Sequence, residues 1–218
     1  MKVNGRTMRD PDARVDPGRD AFLVDGAPVR RTAFRCVMLH KPCGIVTTRR
    51  DERGRRTVFD LLGSAGEGLK VVGRLDLDSS GMLLLTSDSR LADALTAPES
   101  GVEKVYEVLT DVPLGPEALK AFEEGMDVPL PGRMYRTRPA PVESLGGCRY
   151  RIVLTEGKNR QLRRMIEASG ARVAALHRVS VGGLALGPLG PGAWRDLTPA
   201  ERTSLRTLGG VRRGRGGA

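Results

Sequence analysis

The chain reads Gly73-Arg74-Leu75-Asp76-Leu77-Asp78-Ser79-Ser80-Gly81-Met82 between two short apolar segments. The segments on either side, 69–72 and 82–86, have the length and composition of strands, and the four residues 78–81 have the composition of a turn. Asp76 is therefore held at the end of one buried segment, just before the next. A carboxylate in such a place is either a structural cap or a reactive group.

The charge balance favours a polyanionic partner. The 218 residues include 36 Lys+Arg against 26 Asp+Glu, a formal net charge of +10 with a pI near 10.2. Such an excess is typical of proteins that bind nucleic acids, because cationic side chains displace condensed counterions from phosphates. A protein that is merely basic has the same composition, so charge alone leaves both interpretations open. A membrane partner is less favoured, since no apolar run approaches the ~20 residues of a spanning helix.

Metal and disulfide chemistry are disfavoured. The three cysteines, Cys36, Cys43 and Cys148, have no C-x-x-C spacing, and the chain has only two histidines. Neither a zinc site nor a disulfide framework fits this pattern. The first residues lack the apolar core of a signal peptide, so we expect a cytoplasmic protein.

The chain divides into three regions. Residues 1–32 have short β segments separated by turns such as Asn-Gly and Asp-Gly, with no helical pattern. Residues 33–208 mix strand and helix patterns without strict β-α-β alternation, which predicts an α+β fold with a mixed, largely antiparallel sheet. Residues 209–218 are rich in Gly and Arg, which predicts a disordered tail.

The central region contains distinct periodic patterns. Strands are predicted at 34–40, 104–109, 150–154, 172–176 and 179–186. Helices are predicted at 57–62, 89–96, 116–125 and 159–169.

Two basic segments are candidates for contact with phosphate. The polar segment 47–56 reads as an exposed loop, and it contains Arg49, Arg50, Arg53, Arg55 and Arg56. Phosphate contact and simple solvation fit this loop equally well.

The second basic segment is the helix at 159–169. It carries Arg160, Arg163 and Arg164 in its first turns, although the helix dipole favours acidic residues there. Arg160 and Arg163 share a face and could meet phosphate or an active-site carboxylate. The alternative is a solvated face.

Four motifs follow one another within residues 34–200. They are Leu39-His40-Lys41-Pro42-Cys43-Gly44-Ile45-Val46, the stretch 73–86 that contains Asp76, Glu103-Lys104-Val105-Tyr106, and Glu156-Gly157-Lys158-Asn159-Arg160-Gln161-Leu162-Arg163-Arg164-Met165. In order and composition they resemble the ribosomal RNA pseudouridine synthases. The resemblance is to the branch that groups the small-subunit enzyme with its large-subunit relatives, and it implies the pseudouridine synthase fold.

The resemblance implies a role for each of several residues. Asp76 resembles the catalytic aspartate, which attacks the target nucleotide while its N-glycosidic bond is exchanged for a C–C bond. Tyr106 resembles the tyrosine that stacks on the base and is implicated in removing the C5 proton. Arg163 resembles the basic partner that forms an ion pair with the aspartate. Arg74 and Lys104 fit contacts with substrate phosphate or structural contacts equally well.

The implied reaction needs a nucleophile or electrostatic stabiliser, a proton acceptor and a pocket for the detached base. It needs no metal and no redox cofactor, so we expect none. The target base must leave its stack to reach the aspartate, so base flipping is expected. The expected partner is ribosomal RNA or a ribosomal assembly intermediate, and we expect a monomer.

The N-terminal region departs from the family pattern. Members of this branch usually begin with an S4-type RNA-binding domain, in which two helices precede a β-hairpin. Residues 3–30 resemble only the hairpin. We therefore interpret 1–32 as a partial S4-type module, so that RNA binding would depend on the catalytic domain, the basic loop and the tail, or else the start has been truncated.

Two alternatives remain open at this point. The first is a noncatalytic RNA-binding or ribosome-assembly protein on the same scaffold, which would not need Asp76, Tyr106 and Arg163 together. The second is a hydrolase that uses Asp76 and Asp78 on one strand face, although Asp78 fits a turn better.

Of the two ribosomal subunits, we favour the large one as the target. The basic loop after Thr48 favours the 23S rRNA of the large subunit, whereas 176–178 and 181–184 resemble the small-subunit type.

Overall fold

The computed structural model describes residues 1–16, 18–29 and 34–210. These form two compact units, one within Met1–Phe34 and one within Arg35–Val211. Residues 30–33, whose sequence Arg-Arg-Thr-Ala is interpreted as a short linker, lie outside the described residues. Of the tail expected at 209–218, only Gly209 and Gly210 are described, and they form a turn after the last helix.

The first unit is an antiparallel sheet of four short strands in the order β2-β1-β3-β4. The strands are β1 (Lys2–Val3), β2 (Arg6–Thr7), β3 (Phe22–Val24) and β4 (Ala27–Pro28). Asn4-Gly5 and Asp25-Gly26 both have positive φ angles, as required by the type I′ hairpin turns that these dipeptides favour. As predicted, the described residues of this unit contain no helix.

The second unit is built on a sheet that has nine strands in the described residues. The strands of this unit, in chain order, are β5 (Cys36–Lys41), β6 (Lys70–Val72), β7 (Ser80–Thr86), β8 (Lys104–Thr110), β9 (Asp127–Leu130), β10 (Arg133–Arg136), β11 (Val142–Gly146), β12 (Arg149–Leu154), β13 (Val173–Val181), β14 (Leu184–Ala185) and β15 (Trp194–Asp196). The main order is β11-β12-β8-β13-β7-β5-β15, with β6 beside β7 and β14 beside β13, while β9 and β10 form a separate hairpin. Among the strands of the described residues, only β7 and β13 pair in parallel, which confirms the mixed, largely antiparallel sheet.

The helices are α1 (Val58–Leu62), α2 (Ser89–Thr96), α3 (Pro116–Glu124), α4 (Gln161–Ala168) and α5 (Pro199–Leu208). Local caps explain several of their starts: Thr57 and Asp60 form a capping box, and Asp88 caps α2. Leu162, Met165 and Ile166 have helical spacing on one face of α4, and all three are buried in the core. In the described part of the chain, no helix is long and apolar enough to cross a membrane.

One edge of β7 is shared by two strands. β13 pairs with its first residues, Ser80 and Gly81, and β6 pairs with Leu84–Thr86. The chain from 73 to 79 leaves the sheet at this place and carries Asp76. Asp76 and Asp78 belong to a turn closed by a hydrogen bond from Ser79 N to Asp76 O at 3.1 Å. The alternative that they share a strand face is therefore wrong.

The junction of β7 with β13 requires glycine at position 81. Gly81 has φ +110°, and a Cβ there would collide with the backbone of Arg178. We expect Gly81→Ala to lower the free energy of unfolding by at least about 2 kcal/mol, from backbone strain and the clash. Gly190→Ala is the matched control, since Gly190 has no positive φ and open space around it. Urea unfolding measures both variants, and equal midpoints would contradict the prediction.

Candidate active site

A cavity of about 430 Å³ opens beside the turn that carries Asp76. Its walls come from the 73–79 segment, the start of β8, the segment before α4 and part of β13. The six site residues predicted outside the basic loop all line it: Arg74, Asp76, Lys104, Tyr106, Arg160 and Arg163.

Lys41 holds the backbone of the turn. Its side chain is fully buried, and Nζ donates hydrogen bonds to the carbonyls of Asp76 at 2.9 Å, Ser79 at 2.7 Å and Pro42 at 3.0 Å. Burial lowers the pKa of Lys41 to about 8. Lys41 belongs to the first sequence motif, but the sequence did not indicate that it orients the turn.

The carboxylates of the turn meet two arginines. Nη1 of Arg160 lies 3.7 Å from a carboxylate oxygen of Asp76. Nη1 and Nη2 of Arg160 donate hydrogen bonds of 3.2 Å to the two carboxylate oxygens of Asp78. Arg163 donates to the Asp78 carbonyl at 2.9 Å and lies 3.2 Å from its carboxylate. Burial opposes ionisation of Asp78, but the hydrogen bond from Arg160 and the charges of both arginines outweigh it, so the pKa of Asp78 is lowered.

This arrangement corrects one expectation. Arg163 forms no ion pair with Asp76, because the turn presents Asp78 to it instead, and the arginine paired with Asp76 is Arg160. Arg163 is nearly buried at 7% exposure, and its Nε has no hydrogen-bond partner among the described residues. The Nε–H group of Arg163 is therefore still available to donate a hydrogen bond beside the turn.

The start of α4 explains why the two arginines act together. Arg160 adopts a left-handed conformation (φ 49°, ψ 33°) immediately before the helix, which is uncommon for a residue other than glycine. Arg160 and Arg163 converge on Asp78, in line with the predicted shared face. Arg164 points elsewhere and donates to the Pro129 carbonyl at 2.7 Å.

Tyr106 is held by a buried arginine that sequence reasoning missed. Arg178, 3% exposed, donates through Nε to the Met82 carbonyl at 2.7 Å, and its Nη1 lies 3.5 Å from the Tyr106 hydroxyl. Nη1 also lies 3.4 Å from the Arg74 carbonyl. In the sequence Arg178 lies between two predicted strands, 172–176 and 179–186, and nothing there indicated its contact with Tyr106.

Lys104 lies beside these groups, and its Nζ donates to the Val102 carbonyl at 2.8 Å. Its pKa is lowered by burial and then by the charges of Arg178 and Arg138. Cations thus surround the carboxylate of Asp76, which lines the cavity, and that of Asp78 beside it.

The structure separates the five arginines of the basic loop into two groups. Arg49 stacks over the Phe59 ring at 4.1 Å and donates to the Leu69 carbonyl. Arg55 is paired with Asp51 at 2.7 Å. The other three, Arg50, Arg53 and Arg56, are exposed and have no side-chain hydrogen bond or ion pair with any described residue.

The fold and the site define an enzyme with an aspartate on a clamped turn in a basic cavity. A family model described as RNA pseudouridylate synthase matches residues 35–168. The chain belongs to this family, whose members are isomerases. The family assignment decides against the hydrolase and the noncatalytic alternatives.

Relatives and a solved structure agree with this assignment. The ribosomal large subunit pseudouridine synthase B of Bacillus subtilis (strain 168) is 33% identical over 95% of this chain and 86% of its own length. The ribosomal small subunit pseudouridine synthase A of Pseudomonas aeruginosa is 34% identical over 94% of this chain and 89% of its own. A crystal structure of a pseudouridylate synthase superimposes with a TM-score of 0.74 and 29% identity, covering 94% of this chain and 87% of that one.

Replacing Lys41 tests the clamp under the turn. We expect Lys41→Met to lower the free energy of unfolding by at least about 2 kcal/mol at neutral pH, because it leaves buried carbonyls without a donor. Lys70→Met is the control, since Lys70 is exposed on β6. Urea unfolding gives the free energy of unfolding of both variants. Equal losses of stability in the two would contradict the conclusion that Lys41 stabilises the turn.

The stability of the wild type should also depend on pH through Lys41. The folded protein releases this proton near pH 8, whereas the unfolded chain holds it to about pH 10.4. Between these values the unfolded state binds more protons, so the contribution of Lys41 to stability rises with pH. The stability of Lys41→Met should lack this rise. If the free energies of unfolding of the wild type and of Lys41→Met change in parallel with pH, the prediction is wrong.

Proposed function

We propose that this protein converts a uridine of ribosomal RNA to pseudouridine, and that its target lies in 23S rRNA of the large subunit rather than in 16S rRNA. The observation that carries the proposal is the position of Asp76, on a clamped turn inside a basic cavity that Tyr106 also lines. The similarity to large- and small-subunit synthases supports ribosomal RNA as the substrate. The exposed arginines of the basic loop favour the large subunit.

The roles of the residues follow from their places in the cavity. Asp76 attacks C1′ of the target nucleotide and bonds to it as the bond between ribose and N1 of uracil breaks, with the electron pair leaving on the base. The detached base turns, and C5 displaces the Asp76 carboxylate from C1′. C5 then loses its proton, and N1 gains one. Tyr106 lies against the base and assists the removal of the C5 proton.

The arginines keep the carboxylate in position. Arg160 pairs with Asp76 directly, and Arg163 holds the turn through Asp78. The unpartnered Nε of Arg163 supports a further contact to Asp76 or to substrate when the base is bound. Arg74 and Lys104 line the same cavity and contact the RNA in this proposal.

The substrate nucleotide enters by base flipping, because Asp76 stands within the cavity and cannot reach a stacked base. Unstacking costs a few kcal/mol, which contacts between cations and phosphates offset. The reaction proposed here takes place in the cytoplasm, on ribosomal RNA or an assembly intermediate, and uses a monomeric enzyme without a cofactor.

Mapping pseudouridines in 16S and 23S rRNA, with and without the gene for this protein, tests the proposal. One 23S pseudouridine should disappear in the deletion strain and return with the wild-type gene. Loss of a 16S site instead would overturn the choice of subunit. No change in either RNA would overturn ribosomal RNA as the substrate.

Asp76→Asn should abolish pseudouridine formation, because it removes the nucleophilic charge while keeping the size of the side chain. Its RNA affinity should stay close to that of the wild type. Asp78→Asn is the matched comparison, and we expect it to slow the reaction without abolishing it, since Asp78 positions the turn. Single-turnover rates on the mapped RNA measure both, and a near wild-type rate for Asp76→Asn would exclude Asp76 as the nucleophile.

The two groups of loop arginines should differ in RNA binding. Replacing Arg50, Arg53 and Arg56 by alanine should weaken binding similarly across RNA sequences and flatten the salt dependence by up to roughly one unit of log-log slope per lost contact. Arg55→Ala is the control, because Arg55 is already paired with Asp51. A salt titration of RNA affinity decides, and an unchanged slope for the triple variant would mean that the loop is only solvated surface.

A further inference from the structure

The hairpin of β9 and β10 contributes no residue to the lining of the cavity. Its strands pair from Asp127 with Arg136 to Leu130 with Arg133, outside the main sheet. Arg133, Arg136 and Arg138 are all exposed. None of the four sequence motifs includes this segment.

A buried carboxylate fixes the hairpin to the cavity wall. Glu156 is 4% exposed and lines the cavity. It accepts hydrogen bonds from the Tyr135 hydroxyl at 2.5 Å, Arg138 N at 3.0 Å and Gln161 Nε2 at 2.6 Å. The hairpin is thus tied through one residue to the first turn of α4.

A second tie runs from α4 to β9. Arg164 Nη1 donates to the Pro129 carbonyl at 2.7 Å, and Met126 N donates to the Thr137 hydroxyl at 3.0 Å beside the hairpin. Because hydrogen bonds hold both strands, the hairpin has a defined position beside the cavity.

Cations gather on the face of the hairpin that bears Tyr135. Lys158 Nζ lies 5.1 Å from the centre of the Tyr135 ring, and the Arg133 guanidinium carbon lies 5.9 Å from it. Arg138 Nε lies 4.0 Å from Glu156, whose oxygens already accept three hydrogen bonds. Arg133 and Lys158 form no ion pair with a carboxylate of the described residues, so this face carries an excess of positive charge.

We propose that Arg133, Arg138 and Lys158 form a binding site for the phosphodiester backbone of the RNA strand that carries the target uridine. This inference rests on the proposed function, which places the flipped nucleotide in the cavity. Phosphates that flank such a nucleotide must remain at the mouth, where Lys158 lines the wall and the hairpin adjoins it. Arg133 and Lys158 lie over the Tyr135 ring, whereas Arg138 lies beside Glu156. The three cations do not converge on a point, which suits an extended polyanion better than a single ion.

The Tyr135–Glu156 hydrogen bond positions this site. It holds the cationic face against the same wall that carries Gln161 and the start of α4. Tyr135 is therefore a positioning residue, and it does not take part in the chemical step.

The chain offers a matched control on the same hairpin. Side chains alternate along a strand, so Arg136 faces away from Tyr135, and it pairs with Asp127 across the hairpin at 3.5 Å. Replacing Arg136 removes one exposed arginine without changing the proposed site.

The experiment compares the full-length wild type, the double variant Arg133→Ala/Lys158→Ala and Arg136→Ala. Affinity for 16S and 23S rRNA transcripts is measured as a function of salt. The double variant should lose roughly 0.7 units of log-log slope per contact to single-stranded RNA, and Arg136→Ala should keep the wild-type slope. The proposed site is overturned if the double variant keeps the wild-type salt dependence of RNA affinity, or if Arg136→Ala loses as much of it as the double variant does.

Two further measurements separate the possible failures. If the wild type forms no pseudouridine on either transcript, the proposed function fails, and the salt slopes still decide whether the hairpin binds the RNA backbone. Inorganic phosphate is the second probe. Phosphate could stabilise the wild type but not the double variant against heat, while the two proteins show the same salt dependence of RNA affinity. The site would then bind free phosphate, and the proposal would be overturned.

Tyr135→Phe tests the positioning role, because it removes the hydroxyl but keeps the ring and all cations. The concentration of RNA that gives half the maximal rate should rise while kcat and the salt slope stay unchanged. A fall in kcat at constant half-saturation would assign Tyr135 to the chemistry and overturn its positioning role.

Discussion

The active site depends on one buried ammonium group. An unpaired charge in the interior is very costly, but the three protons of Lys41 are matched by three carbonyls, of Pro42, Asp76 and Ser79. Because these carbonyls are turned inward, the turn keeps a single shape, and the carboxylates of Asp76 and Asp78 are left for Arg160 and Arg163. The carboxylate of Asp76, which we propose as the nucleophile, is thus oriented through its backbone, independently of what its side chain binds.

The cations of the cavity divide into two kinds. Arg178 and Arg163 are buried and donate to the backbone carbonyls of Met82 and Asp78, so they shape the walls around Tyr106 and the turn. Arg160 is exposed and Lys158 is half-buried. In the proposed function a polyanion meets these accessible cations first, while the buried arginines are fixed, as preorganised electrostatic stabilisation requires.

Sequence patterns identified what is encoded locally. Asp88 and the eight residues after it contain a cap and an amphipathic stripe, so α2 was predicted at its observed bounds. The hairpin of β9 and β10 has no regular alternation and was missed. The ion pair between Arg163 and Asp78 and the contact between Arg178 and Tyr106 join residues 85 and 72 positions apart. Such contacts depend on the assembled sheet, and no local pattern reveals them.

The matched family segment does not contain the whole site. It ends at residue 168, whereas β13, which begins at Val173, lies between β8 and β7 in the sheet. β13 supplies Arg178 to Tyr106 and pairs with Gly81 at the start of β7, where the absence of a Cβ permits the close approach. The tyrosine and the turn of Asp76 therefore share one support, and a change that shifts β13 displaces both sides of the cavity together.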